Sequence, residues 1–282
     1  MPWILLALLH WLPAPVVAMD LAGERAWAAA LERSPLAGER LWLQAGGIEF
    51  PALWRPSQRR DTAGAVVLLP GRGAHPAWPE AIEPLRRGLP RRGWATLSLP
   101  LPGPGEPGGI ALARARLEAA LAFLAKRGIR NIALAGHREG ALLAAWFASR
   151  RPEDSALQAV VFLSLPRPSP ADPALDGADL IRRIDLPMLD VVGEWEVRED
   201  PGWLAARLEA ASRAPAPEGM VPLAPSPRSR GLSVARSGNP GYRQVIIPGG
   251  GADFSDREAW LGKVVSSWLN RVAPGMELAD AP

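Results

Sequence analysis

The sequence predicts a three-layer α/β fold, a mainly parallel sheet with helices on both faces and an antiparallel hairpin at its N-terminal end. Three observations carry this expectation. Short all-apolar runs alternate with helical stretches through most of the chain, the pattern of βαβ crossovers. Two early strand-like runs are separated only by Ala45-Gly46-Gly47, as in a hairpin. The apolar run Asn131–Ala135 passes through a glycine-flanked turn straight into an Ala/Leu-rich helix.

The elements follow in order. Leu21–Arg33 reads as a short helix, and Glu39–Gln44 with Ile48–Arg55 as the hairpin. Ala65–Leu69 is apolar throughout and ends in Pro70-Gly-Arg-Gly73, as expected of a strand buried on both faces and the loop leaving it. A helix is expected from about Pro79 to Arg91, a strand over Trp94–Leu99, a Pro/Gly-rich loop to Gly109 and a helix over Ile110–Arg127. After Asn131–Ala135 come a helix over Gly140–Ser149 and strands at Ala159–Leu163 and Met188–Val192. A helix over Trp203–Ser212, a strand over Tyr242–Ile247 and a helix over Arg257–Val272 complete the pattern. Ala214–Gly241 is dense in Pro, Gly, Ser and Arg without a sustained period and reads as a flexible insertion, and 274–282 as a frayed tail.

At 282 residues and 48% hydrophobic content the chain buries one sizeable core, and one domain over 19–273 is expected. Trp3–Leu12 is apolar, a proline follows, and Val16 and Ala18 are small, so 1–18 reads as a secretory signal peptide and the location as periplasmic or otherwise exported. The stretch is short of the roughly 20 apolar residues a membrane span needs. No cysteine is present, which excludes disulfides, thiolate metal sites and cysteine nucleophiles. Net charge is +3, with the arginines scattered among acids and Lys126 and Lys263 the only lysines. A nucleic-acid partner is not expected, since phosphate neutralisation calls for a gathered basic patch.

The most informative segment is Gly136-His-Arg138-Glu-Gly140, between the Asn131–Ala135 run and its helix. Strand, G-x-x-x-G turn and helix together are the setting of a nucleophile elbow, in which flanking glycines let helix and strand pack closely around a strained central residue. A glycine-containing strand-to-helix turn of any doubly wound protein is the plainer reading. The central residue here is Arg138.

The chain resembles the α/β-hydrolase superfamily, and within it a family of exported proteobacterial hydrolase-like proteins of unknown function. The residues carrying the likeness are Leu68–Pro79, Pro84-Leu-Arg with Gly93–Pro102, Gly136–Ala141, Leu186–Glu194 and Tyr242–Pro248. That resemblance implies a triad in the chain order nucleophile, acid, histidine. The only histidines are His10, His75 and His137, none after the elbow, and Gly249–Phe254, where the resemblance places the catalytic one, has none. A guanidinium stays protonated and offers no lone pair, so Arg138 is no nucleophile. No catalytic residue, cofactor or metal site is expected, and the chain reads as a non-catalytic binding or interaction protein of the cell envelope.

What survives of the implied site sets out the candidate residues. Glu194 or Glu196, after the Met188–Val192 run, is expected near Arg138, either as an ion pair filling a vacated site or beside a bound ligand. The implied oxyanion hole falls on the Glu139 N–H and the Gly71-Arg72-Gly73 loop, which would favour a carboxylate, a phosphate or an anionic lipid head group. The Glu139 carboxylate competes for the same donors. His75 either faces the pocket or hydrogen-bonds its own loop, and His137 is expected to orient backbone rather than bind metal. Trp195 and Trp203 flank the acid loop, as core or as pocket lining. The alternative is an esterase with a non-standard residue set, for which Ser164 is the serine to inspect. An envelope protein docking through 214–241 is a further partner class.

Overall fold

The structure is a computed structural model that describes residues 21–31, 36, 39–102, 108–169, 175–218, 232–234 and 238–274. The stretch read as a signal peptide lies outside the described residues, as does nearly all of the 274–282 tail.

Helix α1 (Leu21–Leu31) precedes the hairpin of β1 (Arg40–Ala45) and β2 (Ile48–Arg55), whose strands pair antiparallel about Gly46-Gly47. There follow β3 (Gly64–Leu69), α2 (Ile82–Gly88), a 3-10 turn at Pro90–Arg92, β4 (Trp94–Ser98), α3 (Gly109–Ala125), β5 (Ile132–His137) and α4 (Glu139–Ala148). The second half holds β6 (Leu157–Leu163), α5 (Gly177–Ile181), β7 (Met188–Gly193), α6 (Glu194–Glu199), α7 (Pro201–Ser212), β8 (Leu232–Val234), β9 (Tyr242–Ile247) and α8 (Glu258–Val272). All described strands lie in one sheet of order β1-β2-β4-β3-β5-β6-β7-β9-β8. From β4 to β9 the pairings are parallel, and the sheet turns antiparallel only at its edges, β1–β2–β4 and β8–β9.

Every residue of β3 and β5 is buried, as the unbroken apolar runs require of strands covered on both faces. Alternate residues feed two cores. On one face Val67, Leu134 and Val160 meet residues of α3, α4 and α7 such as Leu117, Ala144 and Ala210. On the other, Val66, Ala133 and Val161 meet Ile82 and Leu85 of α2 and Leu261, Val265 and Leu269 of α8. Ion pairs fasten the N-terminal elements to this body. Arg116 of α3 reaches Glu24 of α1 at 2.6 and 2.8 Å, and fully buried Arg86 of α2 pairs with Glu83 and Glu39.

The structure departs from the sequence reading in three places. Short helices α5 and α6 were not anticipated, since one or two turns leave no period to read. Within 214–241, Leu232–Val234 forms β8 and pairs antiparallel with β9, so this stretch is not all insertion. Residues 219–231 and 235–237 lie outside the described residues. Strand β8 is only three residues long and takes its register from β9, a pairing that local composition cannot encode. No helix among the described residues is long and apolar enough to cross a membrane.

Candidate functional site

Strands β3, β5, β7 and β9 all run the same way, and the loops leaving their C-terminal ends converge, which is where open α/β sheets place ligands. The turn after β5 is the tightest of them. A Cβ on Gly136 would overlap the Gly140 carbonyl, and one on Gly140 would overlap the Leu69 carbonyl and stand 2.6 Å from that of Pro70. The two glycines therefore let α4 start directly against the strand end and the neighbouring β3. Between them Arg138 has φ 52° and ψ −118°, the first-central-residue conformation of a type II′ turn, which glycine dominates. Its N–H donates to the Leu163 carbonyl at 3.0 Å, and its exposed guanidinium makes no hydrogen bond or ion pair with the described residues.

The loop after β3 packs on this turn. The Glu139 carboxylate accepts the Arg72 N–H at 3.1 Å, and an added Cβ on Gly71 would contact both that carboxylate and Arg138. One of the two N–H groups assigned to an oxyanion hole is thus held by the chain's own carboxylate. Gly73 sits at φ 70° in the same loop. His75 turns away from the turn: its Nδ1 accepts the Ala77 N–H at 3.2 Å, and its ring stacks on Trp27 and meets Trp78 edge-on. It joins α1 to the loop, and burial holds its pKa below the usual histidine value.

His137 is buried behind the elbow, where burial pushes its pKa down, and its Nε2 lies 2.7 Å from the Ala252 carbonyl. A carbonyl only accepts, so Nε2 carries the proton and cannot serve as a base there. His137 thereby fixes the loop after β9, the segment without a histidine of its own. Ser164, buried at the end of β6 with φ 52°, donates to Glu196 Oε1 at 2.7 Å and also lies 3.1 Å from the Ala252 carbonyl. Glu196 accepts the Gly193 N–H at 2.9 Å as well, and burial raises its pKa. No ring nitrogen reaches Ser164, so nothing in the described structure takes its proton except a carboxylate.

The expected ion pair between Arg138 and Glu194 or Glu196 is not formed. Glu194 is spent on the Gly249 N–H, at 2.8 Å, and on Arg198 one helical turn away. Glu196 turns inward to Ser164 and Gly193, because as the third residue of α6 its carboxylate reaches back to cap that helix. Each carboxylate accepts a backbone N–H and a side-chain donor other than Arg138, which leaves Arg138 facing solvent across an open cleft.

That cleft, of about 650 Å³, is lined by Glu80, Arg138, Trp195, the 249–253 loop, Ser255, Asp256 and Arg257. Of the residues expected from sequence it contains Arg138 itself, while Glu139, Gly71, Arg72, Gly73 and Glu194 shape or tie its surroundings and His75 belongs to the packing of α1. Trp195 is 58% exposed and forms part of the wall, whereas Trp203 is core and donates to the Leu165 carbonyl. Glu80, Asp253, Asp256 and Arg257 were not singled out in the sequence. Glu80 comes from the loop before α2 and the other three from the single loop between β9 and α8, of which the resemblance had marked only the part holding Asp253. No group of three or more potential metal ligands occurs among the described residues.

The sequence profile described as "Protein of unknown function (DUF3530)" matches residues 14–113 and 109–218. The chain belongs to this family. No curated protein sequence matches it. The fold of this DUF3530 protein is similar to Est1E from Butyrivibrio proteoclasticus, with a TM-score of 0.60 and 14% identity over 83% of this chain and 98% of that one. It is also similar to a dienelactone hydrolase from Anabaena variabilis, with a TM-score of 0.59 and 18% identity over 83% and 97% of the two chains. A third similar structure is an α-β serine hydrolase homologue from Coxiella burnetii, at 0.56 and 14% over 81% and 96%. At these identities the likeness establishes the α/β-hydrolase fold and leaves activity to be argued from the site.

Proposed function

We propose that this DUF3530 protein is an exported, non-catalytic binding protein of the cell envelope, holding a small ligand by an anionic group on Arg138. The observation that carries the reading is an arginine kept in a glycine-like conformation at the strand-to-helix turn, its guanidinium unpaired at the wall of a cleft. Backbone strain of this kind persists only where the surroundings over-determine it, and it clusters at ligand sites. The N-terminal half-dipole of α4 adds to the attraction for negative charge.

Three features argue against acyl transfer. The elbow residue has no lone pair to attack with. Glu139 occupies the Arg72 N–H that would stabilise an oxyanion. Ser164 is buried and bonded to Glu196 rather than to a histidine. Export rests on the apolar stretch before Ala18.

Fluorophosphonate labelling with peptide mapping, run beside ester turnover, tests the absence of catalysis, and neither label nor turnover is expected. A labelled serine with turnover would replace this reading by an esterase using a non-standard residue set. Thermal unfolding with added carboxylates and phosphates tests binding: a rise in Tm that Arg138→Ala removes is expected, and no rise with any anion would refute it. Sequencing the N-terminus of protein recovered from the periplasm tests export, with cleavage after Ala18 expected.

A further inference from the structure

The charges lining the Arg138 cleft are of both signs, and their balance says what kind of ligand fits. Two cations, Arg138 and Arg257, face three carboxylates, Glu80, Asp253 and Asp256. Some of these are already engaged. Arg257 donates from Nε to the Pro248 carbonyl at 3.0 Å and from Nη1 to the Asp256 carbonyl at 2.8 Å. Asp253 accepts from the Ser255 N–H and hydroxyl at 3.2 and 2.8 Å. The Arg138 guanidinium and the Glu80 and Asp256 carboxylates make no hydrogen bond or ion pair with the described residues. The cleft thus holds one guanidinium and two carboxylates whose hydrogen-bonding groups are open to a ligand, beside an indole, Trp195, that is 58% exposed.

Bonds to neutral carbonyls and to Ser255 leave the Arg257 and Asp253 charges in place, so a simple anion on Arg138 meets two cations and three carboxylates, and its attraction is weakened by the excess negative charge. A ligand that also carries a positive group turns the repulsion into attraction, and an exposed indole face is itself a site for an ammonium group. We propose that the cleft takes a small zwitterion, its phosphate or carboxylate on Arg138 and its ammonium group among Glu80, Asp256 and the Trp195 indole. The proposal rests on the reading of Arg138 as a ligand anchor and narrows it. The same chemistry is presented by a free amino-alkyl acid or phosphate and by the head group of a zwitterionic phospholipid.

Calorimetric titration of the full chain with matched probes tests it. Phosphoethanolamine and 4-aminobutyrate are the zwitterions, inorganic phosphate and butyrate the anion halves, ethanolamine and propylamine the cation halves. At least one zwitterion is expected to bind ten-fold or more tightly than either of its halves. Arg138→Gln is expected to abolish binding. The double variant Glu80→Gln with Asp256→Asn is expected to lose the preference for the zwitterion while binding the anion half at least as well as before. Asparagine tolerates the left-handed backbone of Asp256, which has φ 60°, and circular dichroism of each variant checks that it folds. An anion half as tight as its zwitterion would overturn this proposal and leave the anchor role of Arg138 standing. No binding by any soluble probe, together with no co-sedimentation with phosphatidylethanolamine vesicles, would overturn both. Co-sedimentation that Arg138→Gln abolishes, with weak soluble binding, assigns the zwitterion to a lipid head group. Co-sedimentation that survives Arg138→Gln counts against the proposal.

Discussion

Replacing Arg138 by glycine should make the protein more stable, and the size of the effect follows from the turn. A non-glycine residue held in a sparsely populated backbone region costs about 1–3 kcal/mol, and φ 52° with ψ −118° is such a conformation. Glycine adopts it freely but adds freedom to the unfolded chain, which takes back about 0.4–1 kcal/mol. Little else is lost, because the exposed guanidinium has no bonded partner among the described residues and glycine caps a helix almost as well as polar residues. The net expectation is a gain of about 1–2 kcal/mol, which raises Tm by roughly 2–8 °C for a domain of this size. Urea unfolding of Arg138→Gly should show a higher midpoint at unchanged m, whereas Arg138→Ala, which keeps the Cβ, should stay within about 0.5 kcal/mol of wild type. Both variants should lose anion-dependent stabilisation. If Arg138→Gly were neutral or destabilising, the turn would not be strained, and the argument that strain is kept for the sake of the cleft would fail.

The same turn makes a second prediction: Gly140→Ala drives a Cβ into the Leu69 and Pro70 carbonyls and should cost about 3 kcal/mol, the upper end for overpacking because backbone must move. As a control, Gly262→Ala in α8 meets nothing within 4 Å and should gain about 0.5–1 kcal/mol; equal denaturation midpoints for the two would contradict the close approach. Buried Asp190 accepts the Tyr242 hydroxyl at 2.7 Å and lies 2.8 Å from Arg207 Nε. Asp190→Ala strands a buried guanidinium, so it should lower stability by about 3–5 kcal/mol in urea titration.

His137 is depressed by burial, so the unfolded chain binds a proton there first, and the stability it contributes is present above about pH 6.5 and lost as pH falls below it. Glu196 is raised by burial, so its contribution is present below about pH 4.3 and lost as pH rises through its folded pKa. Unfolding free energies measured across pH should give His137→Gln and Glu196→Gln difference curves of opposite slope. His75, also depressed, keeps part of the acid-side slope in the His137 variant. Parallel difference curves would sink the assignment of burial as the cause of both shifts.

The elements that were legible in the sequence are those whose signal is local. Unbroken apolar runs such as Ala65–Leu69 gave the buried strands, the helical stretches between them gave the crossovers, and the spacing of Gly136 and Gly140 gave the elbow, because close packing there tolerates no side chain. The lack of a histidine after residue 137 needed no structure at all.

What the tertiary structure decided are the encounters between loops far apart in the chain. The sequence placed Glu194 and Glu196 near Arg138 but could not tell that each would be consumed by other partners, Gly249 and Arg198 in one case and Ser164 and Gly193 in the other. Nor could it show that His137 would hold the Ala252 carbonyl, or that Glu80, Trp195 and Asp256 would line one cleft with Arg138. A residue's own neighbours in sequence fix its backbone preference and the face it presents. Which charge it meets depends on strand order, and strand order is set by the burial of the whole sheet rather than by any one segment.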